Sequence, residues 1–273
     1  MNCVFCKKKM LPDRLRCIGC GKWQPGQDII VNGNDGSVLL VDVKSATTER
    51  VQTGPWDYCW GVNSDGIAGI VKGSTTLLAG APGAGKSTLQ LQMCDAIPEQ
   101  TGREALYLAS EEQLTQIKFR ADRMAIKWQN RIRMVACMSG EGNIEDLIRA
   151  YNPGLLILDS LNGMAGSDMA MTIKIAHAIK IFCMQHNVIG ILTSHITKSG
   201  EIAGLEGLQH EVDTTMTFFP DLDIPYEGEA IRKLEVEKNR NGRAFIHQLF
   251  EMTEKGLVPF IMNAEDDDAE DDE

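Results

Sequence analysis

The sequence predicts an α/β protein with a mostly parallel sheet and helices on both of its faces, preceded by a small zinc knuckle built on four cysteines. Three observations predict this fold class. Short apolar runs alternate with helical patterns over most of the chain, a glycine-rich loop follows one of those runs, and two Cys-x-x-Cys pairs stand near the N-terminus. Runs that are apolar throughout are typical of strands buried on both faces, which is the condition of a parallel sheet.

The two cysteine pairs read CVFC and CIGC and are separated by ten residues. Four thiolates at this spacing suit a tetrahedral Zn²⁺ site, and a segment this short cannot fold on a hydrophobic core alone. A redox role for either pair is the alternative, but no βαβ pattern surrounds them. The sequence therefore predicts a zinc-binding domain over residues 1–25, with Cys3, Cys6, Cys17 and Cys20 as the ligands.

Two less regular segments flank the main domain. Residues 26–50 alternate turn-forming residues with short apolar runs, which is typical of a small β-rich connector. Residues 263–273 are strongly acidic, and such a composition cannot bury enough apolar surface to fold, so we expect a disordered acidic tail. The tail either keeps the protein in solution, or mimics a nucleic-acid strand and competes for a basic DNA-binding surface, or recruits a basic partner. The main domain is expected to span residues 51–262.

The charge balance leaves a nucleic-acid partner open. The formal net charge is −11, and residues 264–273 contain eight acids, so the rest of the chain carries −11 + 8 = −3. Binding depends on the local distribution of charge more than on this total.

Other features of the composition bear on the compartment. No apolar run approaches the ~20 residues that span a bilayer, and the N-terminus lacks a signal-peptide pattern, so we expect a cytoplasmic protein without a membrane partner. The scattered Cys59, Cys94, Cys137 and Cys183 are expected to be buried thiols rather than parts of a disulfide framework.

The first strand of the main domain, TTLLAG, leads into GAPGAGKST and then a helical pattern. This is a P-loop, in which glycines let backbone N–H groups face phosphates and the following helix adds its positive end. We expect Lys86 to contact the β- and γ-phosphates of ATP, Ser87 to hold Mg²⁺, and Thr88 to meet the α-phosphate. The predicted nucleotide-binding residues are Gly80, Ala81, Pro82, Gly83, Ala84, Gly85, Lys86, Ser87 and Thr88.

Three later strands end in polar side chains. Asp159 ends LLILD, the position from which a carboxylate assists Mg²⁺. Glu111 follows ALYLAS, and in RecA-like P-loop ATPases a glutamate at this position activates the attacking water. Glu112 is the alternative base, and both acids would also be favourable simply as the start of a helix. His195 ends VIGILTSH, where it either senses the γ-phosphate or has a structural role.

Two segments nearer the C-terminus carry basic residues. The loop ITKSGEIAGLEGLQHEVD contains three glycines and Lys198, which suits either a mobile nucleic-acid contact or a plain flexible loop. The stretch EVEKNRNGRAFIHQLF, residues 235–250, predicts a β-hairpin in which Asn241-Gly242 favours a tight turn with positive φ. Hairpin geometry alone does not require Lys238 and Arg240 just before this turn.

In their order and spacing, these segments resemble the bacterial RadA (Sms) family of RecA-like DNA-repair ATPases from residue 3 to about residue 259. The segments that carry the resemblance are CIGCGKW, the P-loop, YLASEEQLTQIKFRADRM, LLILDS, SHITKSGEIAG, and KNRNG followed by LFEMTEKGLVPF. The resemblance implies a RecA-like ATPase core in a hexameric ring. It also implies that Lys238 and Arg240 reach the phosphate bound at the neighbouring subunit's Lys86.

The chain departs from the family pattern at three points. Asn241 replaces an aromatic residue, Leu205 stands where the family usually has proline, and family members continue into a Lon-protease-like domain beyond the length of this chain. We therefore expect no peptidase activity and a short form of the family.

The sequence as a whole predicts a DNA-dependent ATPase of recombination and DNA repair that binds single-stranded or branched DNA and translocates or drives branch migration. Its expected partners are DNA, further copies of itself, and a recombinase or single-strand-binding protein, in a bacterial cytoplasm. Lys198 and Arg240 are candidate DNA contacts. The alternatives are a DnaB-like helicase, a KaiC-like regulatory switch without translocation, and a zinc-knuckle adaptor with feeble ATPase activity. The predicted catalytic residues are Lys86, Glu111, Asp159, His195, Lys238 and Arg240.

Overall fold

The structure is a computed structural model that forms two compact units, Met1–Thr48 and Glu49–Glu273. It describes residues 6–7, 29–33, 36–40, 49–62, 66–127, 131–136, 144–195, 205–220 and 231–260. In the first unit, β1 (Ile29–Gly33) and β2 (Gly36–Leu40) form an antiparallel pair. Cys3, Cys17 and Cys20 lie outside the described residues, as does the acidic segment, so the zinc site and the disordered tail stay predictions.

The second unit is built on a sheet of nine strands flanked by helices. The strands of this unit, of which β3 and β4 lie outside the large sheet, are β3 (Arg50–Val51), β4 (Ile70–Val71), β5 (Thr75–Gly80), β6 (Ala105–Ala109), β7 (Ile132–Ala136), β8 (Leu155–Asp159), β9 (Ile189–His195), β10 (Thr214–Pro220), β11 (Ile231–Asn239), β12 (Ile246–Thr253) and β13 (Gly256–Pro259). Its helices are α1 (Asp57–Trp60), α2 (Lys86–Thr101), α3 (Leu114–Arg123), α4 (Ile144–Tyr151), α5 (Leu161–Ala165), α6 (Met169–His186) and α7 (Leu205–Glu211). Among the described residues, no helix is long and apolar enough to cross a membrane.

The order of strands in the large sheet is β13-β12-β11-β10-β5-β9-β8-β6-β7. The six strands from β10 to β7 run parallel, and β11, β12 and β13 add an antiparallel extension beside β10. The short pair β3–β4 forms a separate antiparallel sheet. This is the mostly parallel sheet with a late antiparallel hairpin that the sequence predicted.

Both faces of the parallel strands are buried. Leu78 and Tyr107 belong to a hydrophobic cluster that includes residues of α2 and α3, whereas their chain neighbours Leu77 and Leu106 belong to a second cluster with residues of α4 and α6. Successive side chains of a strand point to opposite faces, so an apolar run buries its residues only if helices cover both sides. The continuous apolar runs are therefore explained by the two layers of helices.

The described scattered cysteines are buried free thiols. Cys59, Cys94 and Cys183 lie in the core, and Cys137 falls outside the described residues. Burial raises the pKa of Cys59 and of Cys183 to about 12, with smaller contributions from the nearby carboxylates Asp57 and Asp213 respectively. Such thiols carry almost no thiolate at neutral pH and behave as small apolar side chains.

The connection between β11 and β12 differs from the predicted tight Asn-Gly turn. β11 ends at Asn239 and β12 begins at Ile246, so residues 240–245 form the connection. The positive φ in this turn belongs to Phe245, at 59°, rather than to Asn241 or Gly242. The hairpin prediction is correct, but the predicted turn geometry is wrong.

A tertiary contact explains the turn. A Cβ on Gly242 would lie 2.8 Å from the Cα of Gly61 and 2.8 Å from the carbonyl oxygen of Trp60, so only glycine permits this approach. The Asn239 side chain donates a hydrogen bond to the Trp60 carbonyl over 3.2 Å, and Arg50 donates to the same carbonyl over 3.2 Å. The turn is thus fixed against α1 and β3 by contacts that a local sequence pattern does not encode.

Candidate functional site

Four parallel strands bring the predicted nucleotide-site residues to one edge of the sheet. In the strand register, Gly80 is level with His195, and Ala109 is level with Asp159. The P-loop follows β5, and Glu111 follows β6 by two residues. These segments line a cleft of about 480 Å³ at the carboxyl ends of the strands, where ligands of open α/β sheets bind.

The P-loop curls at Gly85, which precedes the first residue of α2. Gly85 has φ 112°, and a Cβ there would lie 2.6 Å from the Met252 side chain and 2.9 Å from Phe218. Glycine is therefore required both for the backbone conformation and for the close packing of the loop on the sheet. The free N–H groups at the start of this 16-residue helix provide the positive end that binds phosphate.

Lys86 lies beneath the loop and is only 6% exposed. Its Nζ donates to the carbonyl oxygens of Gly80, over 2.7 Å, and Ala81, over 2.9 Å. Burial lowers the pKa of Lys86, while the nearby carboxylates Asp159 and Glu111 raise it. A desolvated ammonium held only by neutral carbonyls gains strongly from a phosphate, because a charged acceptor forms a stronger hydrogen bond than a neutral one.

Ser87 and Asp159 meet at the next position along the cleft. The Ser87 hydroxyl donates to Oδ2 of Asp159 over 3.0 Å, and the hydroxyl of the fully buried Tyr107 donates to the same oxygen. A hydroxyl and a carboxylate side by side form an oxygen donor set that suits Mg²⁺ beside a phosphate. The role of Tyr107 was not predicted, although a tyrosine in an otherwise apolar buried strand indicates a partner for its hydroxyl.

Glu111 projects into the cleft and is held by two donors. Its Oε2 lies 2.7 Å from Nε2 of His195, and its Oε1 accepts a hydrogen bond from the Ser160 hydroxyl. Burial acts to raise the pKa of Glu111, but the hydrogen bonds from Ser160 and His195 and the charges of His195 and Lys86 together outweigh it and lower this pKa. Glu111 is therefore ionised at neutral pH, as a proton acceptor must be.

Ser160 is itself fixed on several sides. Ser110 Oγ accepts from the Ser160 N–H over 2.8 Å and donates to its carbonyl over 2.9 Å. The Ser160 hydroxyl also accepts from the N–H of Gly163 over 3.2 Å and so caps the short helix α5. Ser160 thus ties the end of β8 to the end of β6. From the sequence, Ser160 was assigned no role.

Two more polar residues lie at this edge, His195 and Glu112, and their surroundings differ from those of Glu111. His195 donates its backbone N–H to Oδ1 of Asn162 over 3.2 Å, and its Nδ1 is buried without a hydrogen-bond partner among the described residues. Glu112, the alternative base, forms an ion pair with Arg120. Glu111 is therefore the carboxylate that contacts His195, whereas Glu112 is engaged by a cation of α3.

Lys238 and Arg240 lie toward the other end of the strands, away from the edge of the sheet at which the P-loop lies. Because β11 runs antiparallel to β10, the chain from Lys238 to Asn239 passes from the level of Leu77, the third residue of β5, to the level of Thr76, the second. The P-loop begins after Gly80, at the other end of that strand. The basic residues before the turn are thus directed away from the cleft of their own chain. Lys198 lies outside the described residues.

Both basic residues contact the end of α7 or the residues directly after it. Lys238 Nζ donates to the carbonyl oxygens of Gln209 and of Val212, the latter over 2.8 Å. Arg240 lies 3.4 Å from Asp213, with about half of its side chain (49%) exposed. Burial is the main cause that lowers the pKa of Lys238, followed by the positive charge of Arg240.

Three arginines that sequence reasoning did not select also line the cleft, namely Arg120, Arg123 and Arg232. Nε of Arg232 is buried without a hydrogen-bond partner in the described part of the chain. Arg120 and Arg123 are three residues apart on α3, a spacing that places both side chains on one helix face. This spacing was the available signal, but it does not say that the face borders a cleft.

The chain was compared with known proteins and structures. A family model described as AAA domain matches residues 64–201. The DNA repair protein RadA of Aquifex aeolicus is 34% identical over 93% of this chain and 58% of its own length. The RadA protein of Mycobacterium tuberculosis is 33% identical over 84% of this chain and 50% of its own length. The chain thus spans about half the length of these curated relatives.

Among solved structures, a KaiC-like protein from Pyrococcus horikoshii OT3 matches with a TM-score of 0.61 and 18% identity, covering 79% of this chain and 100% of that one. This match shows that the two proteins share a fold. The family match and the relatives at more than 30% identity confirm the family that the motifs predicted. The chain belongs to the AAA domain family and, within it, to the RadA family of RecA-like proteins.

Proposed function

We propose that this protein hydrolyses ATP in the cleft, that a neighbouring copy completes the site, and that DNA stimulates the reaction. The observation that carries the first part is the position of Glu111. This ionised carboxylate is held by His195 and Ser160 in the cleft that also contains Lys86 and the Ser87–Asp159 pair. A P-loop alone only binds a nucleotide, whereas an oriented base beside it supports hydrolysis.

The predicted residues of the nucleotide site each have a part in this mechanism. The P-loop N–H groups and Lys86 bind the β- and γ-phosphates and withdraw charge from the leaving group, while Ser87 and Asp159 hold Mg²⁺. Bound Mg²⁺ neutralises the charge that develops on the phosphate oxygens. Glu111 orients the attacking water and accepts its proton, and His195 keeps the carboxylate in position. This arrangement supplies electrostatic stabilisation and positioning, which dominate phosphoryl transfer.

The position of Lys238 and Arg240 supports completion of the site by a second subunit. Because they lie at the edge of the sheet opposite their own cleft, they act on a nucleotide only if that nucleotide is bound to another copy. Repeated contact between one edge and the opposite edge of the next copy is a head-to-tail interface, which generates a ring or a filament. Lys238 and Arg240 then act as cations that stabilise transition-state charge in trans.

The curated relatives are named DNA repair proteins, which supports DNA as the partner of this chain as well. We propose single-stranded or branched DNA as the activator, with translocation or branch migration as the work performed in a bacterial cytoplasm. The loop after His195, which contains Lys198, is suited to report the state of the nucleotide to DNA. The four N-terminal cysteines would hold Zn²⁺, and a recombinase or single-strand-binding protein is a further proposed partner.

The test is ATP turnover by wild type and Lys238→Ala, with and without single-stranded DNA, at protein concentrations where the mass of the assembly is also measured. We expect DNA to stimulate the wild type several-fold. The variant is expected to assemble and bind ATP but to turn over about 10²-fold or more slowly, since a cation supplied in trans contributes at least this much.

The matched control is Lys255→Ala, which removes an exposed lysine from the turn between β12 and β13. Because Lys238 also binds carbonyls at the end of α7 and directly after it, the melting temperature of both variants is measured alongside turnover. If ATP turnover changes neither on addition of DNA nor on loss of Lys238, the proposal is overturned. A KaiC-like switch or a zinc-knuckle adaptor then becomes the preferred function.

A further inference from the structure

Two phenylalanines are far more exposed than folding requires. Phe245 is 91% exposed and Phe119 is 75% exposed, the highest values among the large apolar side chains in the described part of the chain. Phe245 lies in the β11–β12 turn, and Phe119 lies on α3. Exposed aromatic side chains are enriched where proteins meet partners, because they bury a large area at a low cost in side-chain entropy.

The backbone holds Phe245 in this exposed position. Its φ of 59° is rare for a bulky residue, yet its N–H donates to the Val236 carbonyl over 2.7 Å, which fixes the conformation. The exposed Arg243 and the half-exposed Arg240 lie in the same turn. A strained, exposed aromatic residue in a turn that also carries two arginines indicates a contact surface rather than a turn that only joins strands.

Further apolar side chains lie next to this turn. Gly61, which touches Gly242, is followed by Val62, 44% exposed, and Tyr58, 70% exposed, precedes it on α1. We call Tyr58, Val62, Arg243 and Phe245 the turn patch. The patch combines apolar surface with positive charge, and it lies on and beside the turn that begins at Arg240.

Phe119 also lies in exposed apolar surroundings, on α3 beside the nucleotide cleft. It lines a shallow apolar depression on α3 with Thr115, Gln116, Arg120 and Arg123. Arg120 and Arg123 also line the nucleotide cleft, so the depression directly borders that cleft. A segment that enters the cleft from outside therefore passes beside Phe119.

Two features identify the partner of the turn patch as a second copy of this chain. The turn patch and the α3 depression are different surfaces on opposite edges of one sheet, as a head-to-tail interface requires. Finally, a turn that delivers Lys238 to the neighbour's phosphates carries Phe245 with it.

We propose that Phe245 of one subunit packs against Phe119 in the α3 depression of the next subunit and anchors the head-to-tail interface. This inference rests on the proposed function, because it uses the same approach of the turn to the neighbouring cleft. It adds an apolar anchor that holds the subunits together independently of the charges around the nucleotide. Buried aromatic anchors of this kind commonly carry much of the affinity of an interface.

The direct test is chemical cross-linking between two single variants, Phe245→Cys and Phe119→Cys, with a short bismaleimide in the presence of ATP. A mixture of the two variants is expected to give a covalent dimer. Either variant alone is expected to give no more product than wild type, which measures the background from the native cysteines. Equal cross-linking by Phe245→Cys alone would mean that like surfaces pair, and this would overturn the proposal, as would no product from the mixture.

A second test measures association without cross-linking. Phe245→Asn removes the aromatic ring and keeps a residue that tolerates positive φ, so the fold of the turn is retained. We expect the concentration at which half of the protein is assembled to rise about tenfold or more. Met184→Asn, which changes a 58% exposed side chain on α6, is expected to leave assembly unchanged. If Phe245→Asn instead preserves assembly and weakens binding of a single-stranded oligonucleotide, the turn binds nucleic acid and the proposal fails.

These outcomes separate the inference from the proposed function. DNA-stimulated turnover that depends on Lys238, in a protein that gives no Phe245–Phe119 cross-link, would leave the proposed function standing and remove the anchor. A specific cross-link in a protein whose ATP turnover does not respond to DNA would support the interface and overturn the DNA-coupled function.

Discussion

Replacing Glu111 by glutamine is expected to lower ATP turnover by about 10²–10⁴-fold, the usual contribution of a positioned general base. Glutamine has the same shape and can still accept the Ser160 hydrogen bond, but it cannot take a proton from water. ATP affinity is expected to stay within a few-fold of wild type, because the proposed role of Glu111 is toward the attacking water, whereas the P-loop binds the phosphates. The measurements are steady-state phosphate release and the binding of a fluorescent ATP analogue.

Glu112→Gln is the matched control for this prediction. Glu112 follows Glu111 directly, but it is more exposed and pairs with Arg120 rather than with His195. We expect this variant to retain most of the wild-type turnover, since exposed ion pairs contribute little. If Glu112→Gln abolishes turnover and Glu111→Gln does not, then the base has been assigned to the wrong carboxylate.

Replacing Lys86 by alanine is expected to abolish turnover and to weaken ATP binding by one to a few orders of magnitude. The ammonium is buried beneath the P-loop, where a hydrogen bond to a charged phosphate contributes roughly 1.5–3 kcal/mol. Lys118→Ala, which removes an exposed lysine from α3, is the control. The measurement is the rise in melting temperature caused by saturating ATP, which binding to the native state alone produces.

The two cleft variants are therefore expected to differ in whether they still bind ATP. Glu111→Gln is expected to keep the ATP-dependent rise in melting temperature without turnover, whereas Lys86→Ala is expected to lose both. A normal ATP-dependent rise in Lys86→Ala would show that the nucleotide binds elsewhere.

Much of the main domain could be predicted because its strands are buried on both faces. TTLLAG coincides with β5, and LLILD coincides with β8. Such strands leave long apolar runs, and parallel strands end at one edge, so the convergence of the P-loop, Asp159 and His195 could be expected from the chain alone. Local pattern and tertiary structure agree in these segments.

The β11–β12 turn shows where local pattern fails. Asn-Gly dipeptides usually mark a two-residue turn, but here Gly242 is required by its contact with Gly61, which lies far away in the chain. The order of the strands is similarly a tertiary property. Without it, the sequence could not reveal that Lys238 lies at the edge of the sheet opposite the P-loop of its own chain.

Side-chain contacts within the site were the least predictable part. The hydrogen bonds that join Ser160 to Glu111 and Tyr107 to Asp159 connect the ends of different strands, and each residue taken alone has a simpler interpretation. The same holds for Phe119, which resembles an ordinary member of an amphipathic helix until its exposure is known.

The central claim is that each ATP site is completed by the turn of a neighbouring copy. It is tested most directly by mixing two inactive variants. Lys86→Ala keeps the turn with Lys238 but has a defective nucleotide site, whereas Lys238→Ala keeps the nucleotide site but lacks the cation that acts on the neighbouring site. In a random equimolar assembly, about one quarter of the head-to-tail interfaces combine an intact site with an intact turn.

We predict that the mixture regains ATP turnover well above the sum of the two separate variants, and that dilution to the monomer abolishes the gain. Lys86→Ala mixed with Glu111→Gln is the control, because no interface in that mixture contains a complete site. A mixture of Lys86→Ala and Lys238→Ala that stays as inactive as its components, although the two proteins assemble together, would contradict completion of the site in trans.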